Sequence, residues 1–457
     1  MKNLNLIFRK LWKNKLFTFL NIIGLAIGIS ACWIVFRLVN YELSFDKNHA
    51  EGEKIFKVYG VFEEIASTDR FDGVPTPLAR YIKENLSSVE LSVPVNRRYY
   101  PKIRNSSDSK ESFTIEDQEN IIETTSDYFK MVPYEWLAGN PNKALQHPDE
   151  VILTSSRANQ YFPNMDPKEV VGKTLMYDTT LFSVSGVVKD LESPSSFLAK
   201  EFVKISDRNW NSDLWVSFMS DITLFVKLKS PNNRDAFVNE VSKKIHEMTK
   251  TEFAEMNTKA RAGVTPLADV HFDKNLQNSS NIKVVYGFIG IGIFLLLLAT
   301  INYINLTTAQ VPYRAKEIGI RKTLGEQPFD VTKSFLLETF FISLFALFLS
   351  WPLTKIFEKA FASYLPANLN SFSDILPVSI FIIGLVIFIS IASSLYPAYL
   401  INKVQISEVI KMKGIGKLSV GSISIRKVLI IFQFVIAQGF VVSTFIMGLQ
   451  MKHTMTS

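Results

Sequence analysis

Few places in this 457-residue chain set reactive side chains at a spacing that chemistry could use. Gly172-Lys173-Thr174 ends like a phosphate-binding loop, but Pro167 stands where such a loop needs its earlier glycine, and a strand-like segment follows instead of a helix. It reads as an ordinary turn. The five histidines, His49, His147, His246, His271 and His453, fall at no zinc-type spacing with one another. His271 lies in Ala268-Asp-Val-His-Phe-Asp273 and reads as a structural loop histidine. No serine sits in a G-x-S-x-G context. Cys32 is the single cysteine, so neither an intramolecular disulfide nor a cysteine-based metal cluster can form. The sequence therefore points to no catalytic residue, no cofactor and no metal. The pattern left standing suits recognition: Arg314-Ala-Lys-Glu-Ile-Gly-Ile-Arg-Lys-Thr-Leu-Gly-Glu326, a strongly cationic stretch.

Taken as a helix over 314–325, this stretch puts Arg314, Glu317, Ile318 and Arg321 on one face. Glu317 follows Arg314 by three residues and precedes Arg321 by four, so both ion pairs are expected, each contributing roughly 0.2–0.5 kcal/mol. Gly325 is placed to end the helix in the left-handed conformation. One exposed Ile318 among charges, with Lys322 beside it, suits a groove on a partner protein. The expected contact or geometry residues are Arg314, Glu317, Ile318, Arg321, Lys322 and Gly325.

What positions this stretch is a set of apolar runs, each near the ~20 residues that cross a bilayer. The chain is 47% hydrophobic, and that content is concentrated. Spans are expected at 16–40 (with no charge over 16–36), 284–311, 334–354, 375–401 and 428–450. The third contains Glu338 and Pro352 and is the one that could instead be a buried core helix. Residues 1–15 carry five basic residues and no acid, 314–333 carry five basic residues and 402–427 carry six, whereas 355–374 carry two. By the excess of cations on the cytoplasmic side, the N-terminus, the coupling segment 312–333 and the loop 402–427 are cytoplasmic, and 41–283 and 355–374 are outside. The net charge of +7 is then mostly a topology signal and not a nucleic-acid-binding one. A lipoprotein signal ending at Ile29-Ser30-Ala31-Cys32 is the rival for the first run, but the apolar run continues past Cys32, which favours an uncleaved span. Inside the spans, Asn302 and Asn305, with Gln310, Gln433 and Gln438, are read chiefly as helix–helix contacts.

The outside segment 41–283 alternates strand-like and helix-like stretches, which predicts an α+β domain of two lobes. Residues 223–229 alternate with Leu224, Val226 and Leu228 on one face; 55–62 and 182–188 are β-branched and aromatic. Thr76-Pro77 opens a helix with Leu78, Ile82 and Leu86 on one side, and 234–249 repeats Val238, Val241, Ile245 and Met248 at helical spacing.

The chain resembles the permeases of the MacB/FtsX-type ABC transporters, in the large form of Bacteroidetes-like bacteria, along nearly its whole length. The resemblance is carried by Asn302-Tyr-Ile-Asn305 leading into 314–325, by Arg9-Lys-Leu-Trp-Lys-Asn14 and by Tyr41-Glu-Leu-Ser-Phe-Asp46. Val151-Ile-Leu-Thr154, Tyr161-Phe162, Gly172-Lys173-Thr174 and Pro266-Leu-Ala-Asp-Val-His271 also fit. It implies a two-lobed periplasmic core domain, a bacterial inner-membrane location, and a coupling segment that contacts a separate cytoplasmic ATPase, so that ATPase activity belongs to the partner. A periplasmic adaptor protein is a further partner it implies. Two departures stand out: Ile406, in Val404-Gln-Ile-Ser-Glu408, stands where the family usually has a proline, and Ser195-Ser196-Phe197 lacks a histidine often found there.

Arg426-Lys427 and the fifth run repeat the pattern of Arg9-Lys10 and the first run, as if a second module opened there. The chain stops at Ser457. The expectation is a reading frame cut short, or a second permease module or homodimer partner supplied in trans. The leading functional reading is a non-catalytic membrane subunit of an ABC transporter, active in efflux, peptide or lipoprotein export, or mechanical transmission. The alternative is a membrane-anchored sensor or regulator that binds an envelope ligand, or activates an envelope enzyme, without transport.

Overall fold

The computed structural model describes residues 9, 11–64, 67–105, 114–254, 257–277, 279–366, 369, 372–402 and 423–456. In chain order the elements used below are α1 (Lys15–Leu43), β1 (Ile55–Glu63), β2 (Thr68–Phe71), α2 (Leu78–Asn85), β3 (Val89–Asn105), β4 (Thr114–Thr124), β5 (Trp136–Gly139) and β6 (Glu150–Thr154). There follow α3 (Ser155–Tyr161), β7 (Thr174–Tyr177), β8 (Thr180–Val188), β9 (Glu201–Lys204), β10 (Ile222–Leu228), α4 (Arg234–Ala254) and β11 (Lys259–Pro266). The last five are α5 (Ile282–Ala309), α6 (Val311–Thr323), α7 (Pro328–Ala360), α8 (Ile375–Asn402) and α9 (Ile423–Thr456). The chain divides into two compact units, one of long apolar helices and one spanning Tyr41–Lys283.

The Tyr41–Lys283 unit is an α+β domain built on an eleven-stranded mixed sheet in the order β11-β1-β10-β3-β4-β9-β6-β8-β5, with β2 on β1 and β7 bridging β3 and β8. Alternation along β1 sends Phe56 and Val58 to one face and Ile55 to the other. The first face packs on α2 and α4 through Leu78, Ile82, Val241 and Ile245. At the other end of the sheet, Val151, Leu153, Leu175 and Val184 form a second cluster with Tyr161 of α3. These are the two lobes expected from sequence, and β3 runs through both, with Val89 packed against the first cluster and Ile103 in the second.

Two helices shift slightly from expectation. Pro77, not Thr76, caps α2. On α4 the buried stripe is Phe237, Val241, Ile245 and Thr249; Met248 is exposed, because β11 meets the helix one position round from the stripe that hydrophobicity alone suggests. Gly172 adopts φ +88° and joins a short helix to β7, so the phosphate-loop look-alike is a turn.

In the helical unit, five helices are long and apolar enough to cross a membrane among the described residues: α1, α5, α7, α8 over Ile375–Leu400, and α9 over Ile430–Gln450. Small residues bring them close, as membrane helices require. A Cβ on Gly28 would stand 2.4 Å from the Ala299 Cβ, and one on Gly24 would stand 2.9 Å from Asn302 Nδ2. Leu25, Ala26 and Ile29 of α1 share a buried cluster with Ala299 of α5, Ile342 and Ala346 of α7, and Leu385 and Ile389 of α8. Cys32 is buried within the continuous helix α1. Outward-facing positions such as Phe348, Trp351 and Ile380 are exposed and apolar, the surface that lipid solvates.

Candidate coupling site

Helix α6 starts directly after α5, with Pro in its first turn, where the missing N–H costs nothing. It ends in the paired bonds of a Schellman motif: Gly325 N–H donates to Lys322 O and Glu326 N–H to Arg321 O, both 3.1 Å. Gly325 itself has φ +93°, so the left-handed ending expected of it is present. The helix is Val311–Thr323, three residues earlier at its start than the sequence suggested.

Its two faces differ from those the helical wheel assigned. Arg314 does not pair with Glu317. It is buried, and its guanidinium grips Glu338 of α7 with Nη1–Oε2 at 2.9 Å and Nη2–Oε1 at 2.6 Å. Nη2 also donates to Gln310 Oε1 at 3.0 Å, and the group lies 5.5 Å over the Phe335 ring. Ile318 is not exposed either: at 6% it packs with Val311, Val331, Phe335 and Ala398. Spacing of three and four carries Val311, Arg314 and Ile318 onto one inward face. The Glu338 carboxylate decides this, because an acid buried at the foot of α7 needs a counter-charge. The acid that looked like a blemish in the third span is the anchor of α6.

The outward face carries Glu317, paired with Arg321 at 2.7 Å as expected, and Ile320, 53% exposed; beside it stand Leu324 at the helix end, 83% exposed, and Phe329 in the first turn of α7, 75% exposed. These were missed by the sequence reading; Ile320 sits two residues from the isoleucine it chose, so only a fixed inner face could have indicated them. Lys322 turns back to donate to Asn402 O at 3.0 Å, and burial lowers the proton affinity of its ammonium. Asn402 Nδ2 in turn donates to Thr332 Oγ1 at 3.2 Å. Asn305 Nδ2 donates to Gln433 Oε1 of α9 at 3.2 Å, while Asn302 is exposed and lies against Gly24. The position of Ile406 lies outside the described residues.

Residues 18–244 match the MacB-like periplasmic core domain, and residues 289–406 match the FtsX-like permease C-terminal domain. The chain belongs to the MacB/FtsX-type ABC permease family. Similar curated proteins include the macrolide export ATP-binding/permease protein MacB of Salmonella typhimurium and of Salmonella typhi, each 25% identical over 239 residues, which are 49% of this chain and 33% of the relative. The chain thus spans about a third of the length of these relatives. Among solved structures, a domain of a putative permease protein from Porphyromonas gingivalis is 16% identical, covering 53% of this chain and 99% of that one at a TM-score of 0.39. The periplasmic region of MacB from Actinobacillus actinomycetemcomitans is 18% identical, covering 48% and 90% at a TM-score of 0.31.

Within the MacB-like domain a second arrangement had not been anticipated. Asp46, at φ +55°, accepts from Ser195 Oγ at 2.7 Å, from Ser196 N at 3.0 Å and from Ser196 Oγ at 2.5 Å. Burial pushes its carboxyl up, and the bonds from Ser196 and Ser195 pull against that. Two serine hydroxyls thus clasp the start of the domain. His271, read from sequence as a loop histidine, sits with Nε2 2.7 Å from Glu42 Oε2 and its ring stacked on Phe45 at 3.6 Å. No group of three metal-binding side chains occurs among the described residues.

Proposed function

We propose that the chain is the membrane subunit of an ABC transporter and that a separate cytoplasmic ATPase docks on α6. The chain is a multi-pass inner-membrane protein in this reading, with its N-terminus and α6 cytoplasmic, the MacB-like domain periplasmic, and catalysis confined to the ATPase. What it moves or signals is efflux, peptide or lipoprotein export, or mechanical transmission across the envelope. The alternation of basic loops supports the orientation, and family membership supports an ATPase partner.

One observation carries the docking reading. Ile320, Leu324 and Phe329 stand exposed around a capped helix whose other face is bolted to α7 by Arg314 and Glu338. An apolar trio around the turn between α6 and α7, rimmed by charge, is a shape that a protein groove can receive, and the buried ion pair lets force on α6 reach α7 without slack. The contact residues are thus Ile320, Leu324 and Phe329 with Glu317 and Arg321; Arg314, Ile318, Lys322 and Gly325 set the geometry. The test is recovery of the ATPase with the affinity-purified permease. Leu324→Glu is expected to lower recovery at least tenfold with the permease's melting temperature unchanged. Unchanged recovery in Leu324→Glu and Ile320→Glu would overturn the reading. ATP-dependent substrate movement in vesicles holding both proteins separates transport from pure signalling.

A further inference from the structure

The central strands of the Tyr41–Lys283 unit turn one face to α2 and α4. On the other face β1, β10, β3 and β4 floor a cavity of about 770 Å³. One wall is the segment 196–199, between β8 and β9. The others are the stretches by which the chain enters and leaves the unit: Phe45 lies two residues after α1, and Ser280 two residues before α5. A cavity of this size holds one small molecule and not a folded partner.

The floor is apolar at one place and cationic at another. Phe225 of β10 meets Phe197 with ring centres 4.7 Å apart. Phe45 is held nearby, because Ser195 and Ser196 clasp the residue that follows it, Asp46. Phe225 pairs with Val93 of β3, and Arg97 stands four residues further along that strand, about 13 Å away at the usual rise. The other two cations of the lining are already served: Lys57 is buried against Asp72 at 3.2 Å, and Arg98 lies 2.8 Å from Glu123. Arg97 is exposed and forms no ion pair among the described residues. Burial lowers the proton affinity of the Lys57 ammonium, Asp72 pulls it back up, and the charge of Arg97 lowers it again. Two cations thus oppose each other across one hollow, and an anion placed there relieves both. Glu119 and Asp221, also exposed in the lining, set a limit, since each further negative charge on a ligand meets theirs.

We propose that this cavity binds a small organic monoanion, with one carboxylate on Arg97 and an aromatic or branched apolar body reaching toward Phe225, Phe197 and Phe45. A guanidinium offers the planar fork that a carboxylate accepts with two oxygens. A phosphate would bring a second charge toward Glu119 and Asp221, and a neutral ligand would leave Arg97 without a counter-charge.

The test uses the full chain in lipid nanodiscs with N-dansyl-leucine, a fluorescent carboxylate with an apolar body, and its neutral amide, each corrected for empty nanodiscs. The parent chain is expected to bind the acid saturably and about tenfold more tightly than the amide, as one hydrogen-bonded charge would give. Arg97→Gln should erase that preference by weakening the acid alone, and Arg97→Lys, which keeps the charge and loses the fork, should fall between. Leu198→Trp, at a cavity position 54% exposed in the parent, should block acid and amide alike. Both positions are exposed, so the melting temperature should hold; if Leu198→Trp fails to fold, the Arg97 variants decide. Equal affinity for acid and amide, no saturable binding, or acid binding untouched by Arg97→Gln overturns the proposal, as does binding untouched by a folded Leu198→Trp. The site lies wholly within the Tyr41–Lys283 unit, so probe binding and ATPase recovery can fail independently.

Discussion

Helix α7 carries two buried acids, Glu338 a third of the way along and Glu358 near its end, and the two are handled differently. Glu338 meets a single guanidinium, Arg314, in a two-pronged grip. Glu358 shares one guanidinium with a second acid: Arg37 Nη1 donates to Glu358 Oε1 at 2.7 Å, Nε to Asp374 Oδ2 at 2.9 Å, and Nη2 to Leu369 O at 2.7 Å. The acids are about 20 residues apart and so about 30 Å apart along the axis, close to the thickness of a hydrocarbon core. The charges thus bracket the apolar length of the bundle, with Lys355 helping Glu358 from the more exposed side. The Glu338 end is balanced one to one and joins two consecutive helices through a short turn. At the Glu358 end, Arg37 serves two acids, one of them shared with Lys355, and ties α1 to α7 and to the segment before α8, far apart in sequence. The first fixes the pose of a local part; the second closes the bundle.

Removing the shared cation should be the most damaging change. Arg37→Ala strands Asp374 and leaves Glu358 with Lys355 alone, and is expected to cost about 3–5 kcal/mol, seen as a collapse of melting temperature in detergent and of accumulation in membranes. The triple variant Arg37→Met, Glu358→Gln, Asp374→Asn should recover most of that loss, since the penalty comes from unpaired charge. Failure of that rescue would show that packing, and not charge, closes this end. Arg314→Ala strands one acid and should cost less, about 3 kcal/mol, with Arg314→Met plus Glu338→Gln restoring the melting temperature. Equal losses for Arg37→Ala and Arg314→Ala would break the contrast. Glu317→Gln with Arg321→Gln touches only a surface pair, so the melting temperature should move by the equivalent of about 0.5 kcal/mol or less.

The smallest effect sets the scale for exposed charges outside the bundle. Lys227, then Lys54, hold the Glu51 carboxyl down to about 2. A depressed carboxyl contributes stability above its ordinary value near 4.5 and loses it as pH falls toward 2. Glu51→Gln should therefore lower the melting temperature slightly at pH 6 and by much less at pH 2. A difference that persists at pH 2 would mean the side chain acts through packing.

How much of this was legible varied with the range of the interaction. The spans were, because an apolar run of their length is extreme and no partner is needed to recognise it. The end of α6 was, because glycine alone tolerates the conformation that Gly325 adopts. Strand β10 was, because alternation is local. The faces of α6 were not: the choice between Glu317 and Glu338 as the partner of Arg314 depends on a helix that folds back, and a helical wheel sees only neighbours three and four residues away. The Asp46 clasp escaped for the same reason, since Ser195 and Ser196 offer no local sign that they await an acid. The sheet's parallel pairings, β4 with β9 and β6 with β8, likewise need long-range information.

Strand β3 runs for seventeen residues, Val89–Asn105, about 56 Å at the usual rise. It pairs with β10 at its start and with β7 at its end, and with β4 over Asn96–Arg104. A strand shared in this way is a keel. Among the described residues the two lobes are joined within one continuous sheet through this strand. Any motion between the two clusters must therefore bend β3 and strain its pairing with β4.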